Sequence, residues 1–333
     1  MKMTLSIFLL LCPGITALYG QNQEIKFVID TSIQIMKANS ANSEKVDWTS
    51  IRKQAFEQAR DLQNIYQLGP VFKTIFKALN DFHGTAFIGD SAYKWTRDEP
   101  ALSDSINNEW KKGVFLQTRI LNGNIGYLRV PYMSNAERPE LNKKAQHLND
   151  SLCFILDKNV SGIVVDLRLN GGGAMFPMML GLEHLLRDGT IGSFTGKSRQ
   201  NWILKENNFY LDTSSLVSIV PICSIPAKLI PVVVLIGPGT GSSGEFLAMS
   251  FKKRKNTIFL GEKTAGYITS VGGFKVNAPV YLYLSTGYGR DRTGQIYEQA
   301  LAPDIYITEP DSFNDIEHDK KVLEAMKWIN KNK

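Results

Sequence analysis

Two segments of this chain each run an apolar strand into a glycine-rich turn and straight on into a helical pattern, and nothing else limits the possible folds as strongly. The first is "SGIVVDLRLNGGGAMFPMMLGLEHLLRD" at 161–188, the second "PVVVLIGPGTGSSGEFLAMSFKKR" at 231–254. Short strands that are apolar without alternation are buried on both faces, as in a parallel sheet, and a helix after each supplies the crossover. The expected core is therefore α/β with parallel strands. In such sheets ligands bind beyond the carboxyl ends of the strands, where both glycine turns fall.

The turns exclude some chemistry. A phosphate-binding loop needs G-x-x-x-x-G-K-[ST], and alignment on Gly241 puts Ile236 at the first glycine and Ser242 at the lysine. Neither turn carries G-x-G-x-x-G, so no nucleotide and no dinucleotide cofactor is expected. What remains is a serine, Ser242 or Ser243, at a helix N-terminus, where the partial positive charge and unpaired N–H groups favour a developing anion and suit acyl transfer. A helix N-cap serine explains the same position, and the residues alone leave both readings open. Gly171, Gly172 and Gly173 close the other strand and could bring bare N–H groups near a substrate. His83, in "LNDFHGT", is the candidate base. The S-x-x-K at 250–253 and "KTAG" at 263–266 lie too close together for a penicillin-binding arrangement, and Thr240 stands where a G-x-S-x-G elbow needs glycine.

The first 20 residues join Lys2 to an apolar run, Leu5–Leu11, then Pro13 and small residues before Gln21. That pattern is a secretory signal peptide cleaved after Ala17 or Gly20, too short for a membrane span. Cys12 follows Leu11, where a lipoprotein signal wants a small residue. Cys153 and Cys223 sit among apolar neighbours and read as two buried thiols, with pairing left open. His83, His147, His184 and His318 are scattered, so neither metal nor other cofactor is expected. Net charge is +6, and "KKRK" at 252–255 has no interleaved aromatics, which argues against nucleic acid as a partner. The oligomeric state is not readable.

Apolar residues at three- and four-residue spacing over 24–37, 47–63 and 70–80 predict a small helical N-terminal domain over 21–112. The α/β core then occupies 113–333, opening with a strand pair around Asn122–Gly123 and closing with a helix near 316–331. The stretches 187–228 and 268–295 read as the loops that set specificity.

"GIVVDLRLNGGG", "TGSSGEFLAMSFKKRKNTIFLGEKTAG" and "DRTGQIYEQALAPDIYI", with "VDWTSIRKQAF" and "LNDFHGT" before them, resemble the C-terminal processing (tail-specific) serine peptidases over roughly 44–310. The resemblance implies a crotonase-like core and selects Ser242, three residues before Glu245, as nucleophile. Tyr267 stands where the family's Ser–Lys branch carries its lysine, and a phenol is a poor base at pH 7. The pattern is closer to the PDZ-lacking branch related to the tricorn core, which pairs serine with histidine and an acid. It implies Ser242, His83 and Glu298 as catalytic residues, Gly171, Gly172 and Ser243 as the oxyanion hole, and a protein or peptide substrate. Lys263 is the rival base. Gly84 to Ile125 is too short for a PDZ domain. The expected activity is that of an exported, periplasmic or extracellular serine endopeptidase. The alternative is a catalytically silent ligand- or peptide-binding protein on the same scaffold, as among the family's retinoid-binding relatives.

Overall fold

The computed structural model describes residues 14–98, 102–197, 199–224 and 226–333, with side chains from Gln23 on. Residues 1–13, which carry the apolar run of the expected signal peptide, lie outside the described residues. The chain forms two compact units. One comprises the chain up to Arg97 with Val271–Ser285, the other Asp98–Ser270 with Thr286–Lys333.

In the first unit, helices α1 (Gly14–Asn39), α2 (Trp48–Gln58) and α3 (Gly69–Ala78) bury one apolar stripe each, including Val28 and Ile29, Ile51 and Ala55, and Val71, Phe72, Ile75 and Phe76. Asp47 starts α2 by accepting from the N–H groups of Thr49 and Ser50, while Pro70 fits the first turn of α3. Strands β1 (Thr85–Ile88) and β2 (Ser91–Tyr93) form a hairpin. β1 also pairs antiparallel with Val280–Tyr283, so the sheet needs a segment nearly 200 residues downstream (~200). That return, and the end of the unit at Arg97, differ from a linear division at 112/113, because contiguous periodicity cannot report a distant strand.

The second unit is a six-stranded sheet between two helical layers. Its order is β15 (Ile305–Tyr306), β11 (Thr257–Gly261), β10 (Val232–Ile236), β5 (Ile163–Asp166), β4 (Ile125–Arg129) and β3 (Gln117–Leu121), all parallel except the β3–β4 hairpin. The apolar strands alternate beneath their uniform hydrophobicity. Val232, Val234 and Ile236 pack with helices α5 (Arg138–Leu156), α6 (Met175–Gly181) and α8 (Ser243–Phe251), and Val233 and Leu235 pack with α9 (Lys320–Asn332). Two further helices, α4 (Asp104–Lys112) and α7 (Glu183–Leu186), belong to the same unit.

The two stretches expected as specificity loops, 187–228 and 268–295, are instead largely strands. The span 187–228 is mostly an antiparallel meander, β6 (Gly189–Phe194), β7 (Gln200–Lys205), β8 (Asn208–Leu211) and β9 (Ser214–Ser218), which buries Trp202, Phe209 and Val217. Likewise 268–295 is largely β12 (Thr269–Lys275) and β13 (Val280–Asp291), with β14 (Ile296–Tyr297) pairing back on β13. Cys153 and Cys223 are not free thiols: α5 and the segment after β9 bring their Cα atoms to 5.5 Å in a disulfide.

Candidate active site

β10 ends at Ile236 and α8 begins at Ser243, so six residues make the turn that carries Ser242. Each is fixed. Thr240 Oγ1 donates to Leu167 O (2.8 Å) and accepts from the Gly237 N–H (3.1 Å), and the Gly241 N–H donates to Asn170 O (3.0 Å). Ser242 is consequently held at φ 51°, ψ −120°, a region side chains with a Cβ avoid at a cost of about 1–3 kcal/mol. Such strain persists only where the surroundings over-determine it. The neighbouring hydroxyl is committed elsewhere: Ser243 Oγ donates to Gly173 O at 2.6 Å. Gly244 must be glycine, since a Cβ there would stand 2.3 Å from Asn170 O.

Glu245 ties this turn to the next loop. One carboxylate oxygen accepts from the Ser242 N–H (2.9 Å), the other from the Gly266 N–H (2.7 Å) and, by a short bond, from Thr264 Oγ1. Thr264 in turn accepts from the Leu301 N–H (2.8 Å), and the Ala265 N–H donates to Thr240 O (2.9 Å). Glu245 is fully buried. Burial pushes its carboxyl up to about 7, although hydrogen bonds from Thr264, Gly266, Ser242 and Tyr267 favour the charged form.

The other glycine turn lies against the first. A Cβ on Gly172 would fall 2.9 Å from Ser242 Cβ and 3.1 Å from the Ser243 nitrogen, so only glycine allows this approach. Its N–H donates to Asn170 Oδ1 at 3.0 Å, and Asn170 Nδ2 donates to the carbonyls of Val130 and Pro131. Among the described residues the N–H groups of Gly171 and Ser243 have no acceptor. Trp110 flanks this turn, donating from Nε1 to Leu169 O (3.1 Å) with its ring 3.8 Å from where a Gly171 Cβ would stand. Beneath the turn, the buried Arg168 guanidinium pairs with Asp166 (2.7 Å), Asp311 (2.7 Å) and Asp319 (2.8 Å). Burial pushes the Asp166 carboxyl up, but Arg168 outweighs it and holds the group at about 2.

His83 lies in the first unit, on a turn built the same way. After α3 the chain passes Asn80 at φ 50°, and buried Asp81 accepts from the Gly84 N–H (2.7 Å), Ser285 N–H (2.9 Å) and Ser285 Oγ (2.7 Å). His83 is half-buried between those anchors.

Ser242, Ser243, Gly171 and Gly172 are thus brought together within one unit. Glu298 is exposed and lines a cleft of about 780 Å³ with Lys252, Lys253, Phe259 and Asp304 at the carboxyl end of α8. Ser242 stands at the opposite end of that nine-residue helix, roughly 13 Å along its axis. Lys263 is exposed. Among the described residues the one group with three potential metal ligands is Cys153, His184 and Cys223, and the disulfide takes both sulfurs. Glu245, Asn170, Asp81 and Trp110 were not singled out from the sequence as site residues. Only Glu245 has a local signal, the S-x-x-E spacing of a capping box.

A strained serine at a strand-to-helix turn, faced by a triple-glycine turn, can be set beside known proteins. Residues 124–307 match the model of peptidase family S41. The chain belongs to that family of serine peptidases. It is similar to the nisin-resistance protein of Lactococcus lactis subsp. lactis, with 27% identity over 306 residues and 88% of each chain covered. Among solved structures it resembles a lipoprotein from Streptococcus agalactiae (TM-score 0.66, 20% identity, 99% of this chain and 100% of that one). It also resembles the photosystem II D1 C-terminal processing protease (TM-score 0.56, 13% identity, 90% and 96% covered). The expected mixed α/β, crotonase-like S41 core with N-terminal helices is the observed fold. No helix among the described residues is long and apolar enough to cross a membrane.

Proposed function

We propose that this S41 peptidase is an exported serine endopeptidase acting through an acyl-enzyme on Ser242, with His83 as general base; Glu298, which lines a cleft at the far end of α8, is left out of the proposed machinery. Ser242 Oγ bonds to the scissile carbonyl carbon as its proton passes to His83. The N–H groups of Gly171 and Ser243 hold the oxyanion, while Gly172, whose own N–H is engaged by Asn170, keeps the two turns in register. His83 then gives the proton to the leaving amine, the C–N bond breaks, and water repeats the sequence on the ester.

The observation that carries this reading is the strained backbone of Ser242 beside a Ser243 whose hydroxyl is bonded to Gly173 O. A serine serving only as a helix cap needs no such conformation. Export to the periplasm or beyond the cell is supported by the signal-like first 20 residues and by a disulfide, which persists in oxidising compartments. Fluorophosphonate labelling followed by peptide mapping tests it. The adduct is expected on Ser242, with labelling abolished in Ser242→Ala and retained in Ser243→Ala. An adduct on Ser243, or on no serine, would sink the mechanism, and the latter would leave the silent binding protein.

A further inference from the structure

The sheet of the first unit has one face in the core and one in solvent. Ala86, Ile88, Val280, Leu282 and Leu284 point inward, whereas Phe87, Tyr281 and Tyr283 occupy the alternate positions. Tyr281 and Tyr283 are 37% and 43% exposed, too much for core residues. The three rings form one cluster, with Phe87 and Tyr283 centroids 5.7 Å apart and those of Tyr281 and Tyr283 5.3 Å apart, both edge-on. The register places Thr85 opposite Tyr283 and Phe87 opposite Tyr281. Gly273 of β12 holds the end of the row, because a Cβ there would stand 2.2 Å from Tyr281 Oη, so the tyrosine ring end lies across bare backbone. This is an aromatic platform whose strand β1 leaves the His83 turn after a single intervening residue, Gly84.

We infer that Phe87, Tyr281 and Tyr283 bind large apolar side chains of the peptide substrate on the leaving-group side of the scissile bond, at about the second to fourth residue beyond it. The inference rests on His83 being the general base. That base must reach the leaving nitrogen to return the proton, so the departing half of the peptide lies against the base and whatever adjoins it. From His83 to Thr85 is at most ~7 Å of chain, and Tyr283 is one strand spacing of ~5 Å farther. An extended peptide rising ~3.3 Å per residue covers that distance in two to four residues. Aromatic faces suit the task because they offer large contact area with little rotamer freedom to lose.

Peptides carrying leucine or phenylalanine at the second to fourth position after the cut should lose roughly 10-fold or more in kcat/KM with Tyr283→Ala or Phe87→Ala. Peptides with glycine or serine there, a p-nitrophenyl ester that has no such residues, and fluorophosphonate labelling should all stay within about twofold. Thermal unfolding of the variants and a Tyr283→Leu variant, expected to keep most of the preference, separate binding from folding. A uniform loss over all peptides means the rings only hold the sheet together and overturns the inference, as does an unchanged preference. If the wild-type protein is not labelled by the fluorophosphonate at all, the serine–histidine reading falls and takes this one with it, a failure visible before any variant is made.

Discussion

Glu245→Gln isolates what the buried carboxylate does for Ser242, the proposed nucleophile. A carboxylate only accepts, and here both oxygens are filled by donors from Ser242, Thr264 and Gly266. The amide keeps one acceptor oxygen. If that oxygen stays with Thr264 and Gly266, the NH₂ group faces the Ser242 N–H, donor against donor, and one buried bond is lost at about 1–3 kcal/mol. The original acid carries its own cost. Because burial raises it to about 7 from an ordinary value of 4.5, the folded protein holds the proton more tightly than the unfolded chain. Its contribution to stability is therefore full below about pH 4.5 and is lost as pH rises to 7, roughly 3 kcal/mol at about 1.4 kcal/mol per tenfold change in proton affinity. Glu245→Gln removes that slope. At pH 8 the relieved burial cost and the lost bond nearly cancel, so stability should change by no more than about 2 kcal/mol. The strained Ser242 backbone, however, loses a restraint, and the rate of fluorophosphonate labelling should fall about 10–100-fold, or roughly 1.4–2.7 kcal/mol of barrier. Labelling rates from pH 6 to 9 alongside urea unfolding supply both numbers. Unchanged labelling with altered stability would refute the claim that Glu245 positions Ser242.

His83→Ala should cost about 10²–10⁴-fold in ester turnover with an unchanged circular dichroism spectrum, whereas Lys263→Ala should keep its activity; the reverse pattern would return the chain to a Ser–Lys mechanism. Reducing the Cys153–Cys223 disulfide, which closes a separation of 70 residues, should destabilise the protein by about 2–4 kcal/mol, read as a lower urea midpoint with dithiothreitol. Glu183 is 2% exposed with both carboxylate oxygens lacking hydrogen bonds, and burial, helped by Asp188, pushes it up to about 7. Its ionised form costs stability as pH rises from 4.5 to 7, so Glu183→Gln should stabilise the protein at pH 8 by about 1–3 kcal/mol, read as a higher urea midpoint, and change it little at pH 4.

The two strand–turn–helix units were legible because they are local: an apolar run, glycines and an apolar helix stand in one stretch, and the observed β5 and β10 with their turns follow. The meander at 187–228 was not, for reasons that can be located. β7 and β8 meet at Glu206 and Asn207, both at positive φ, a two-residue hairpin turn without the usual glycine. β7 itself buries only Trp202 and Leu204 on one face, a short alternation easily taken for loop. The disulfide was illegible in principle, since two cysteines 70 residues apart carry no statement about their distance. The engaged N–H of Gly172 was hidden differently. The sequence shows three glycines in a row, and only the Asn170 side chain determines which donors stay available.

The same arrangement serves both residues proposed for proton transfer at the nucleophile. Ser242 stands on a turn whose backbone N–H is bound by buried Glu245, and His83 stands on one bound at Gly84 by buried Asp81. In each case the acid also reaches a distant segment: Thr264 and Gly266 for Glu245, Ser285 for Asp81. An amide would bring its own donor to these clusters and leave one group unmatched, whereas an ionised carboxylate can accept from every donor present. The requirement explains why an acid lies three residues after the serine and two before the histidine. It also predicts that Asp81→Asn resembles Glu245→Gln, with catalysis harmed more than folding, because what the acids hold in common is the aim of a side chain on a turn that would otherwise relax.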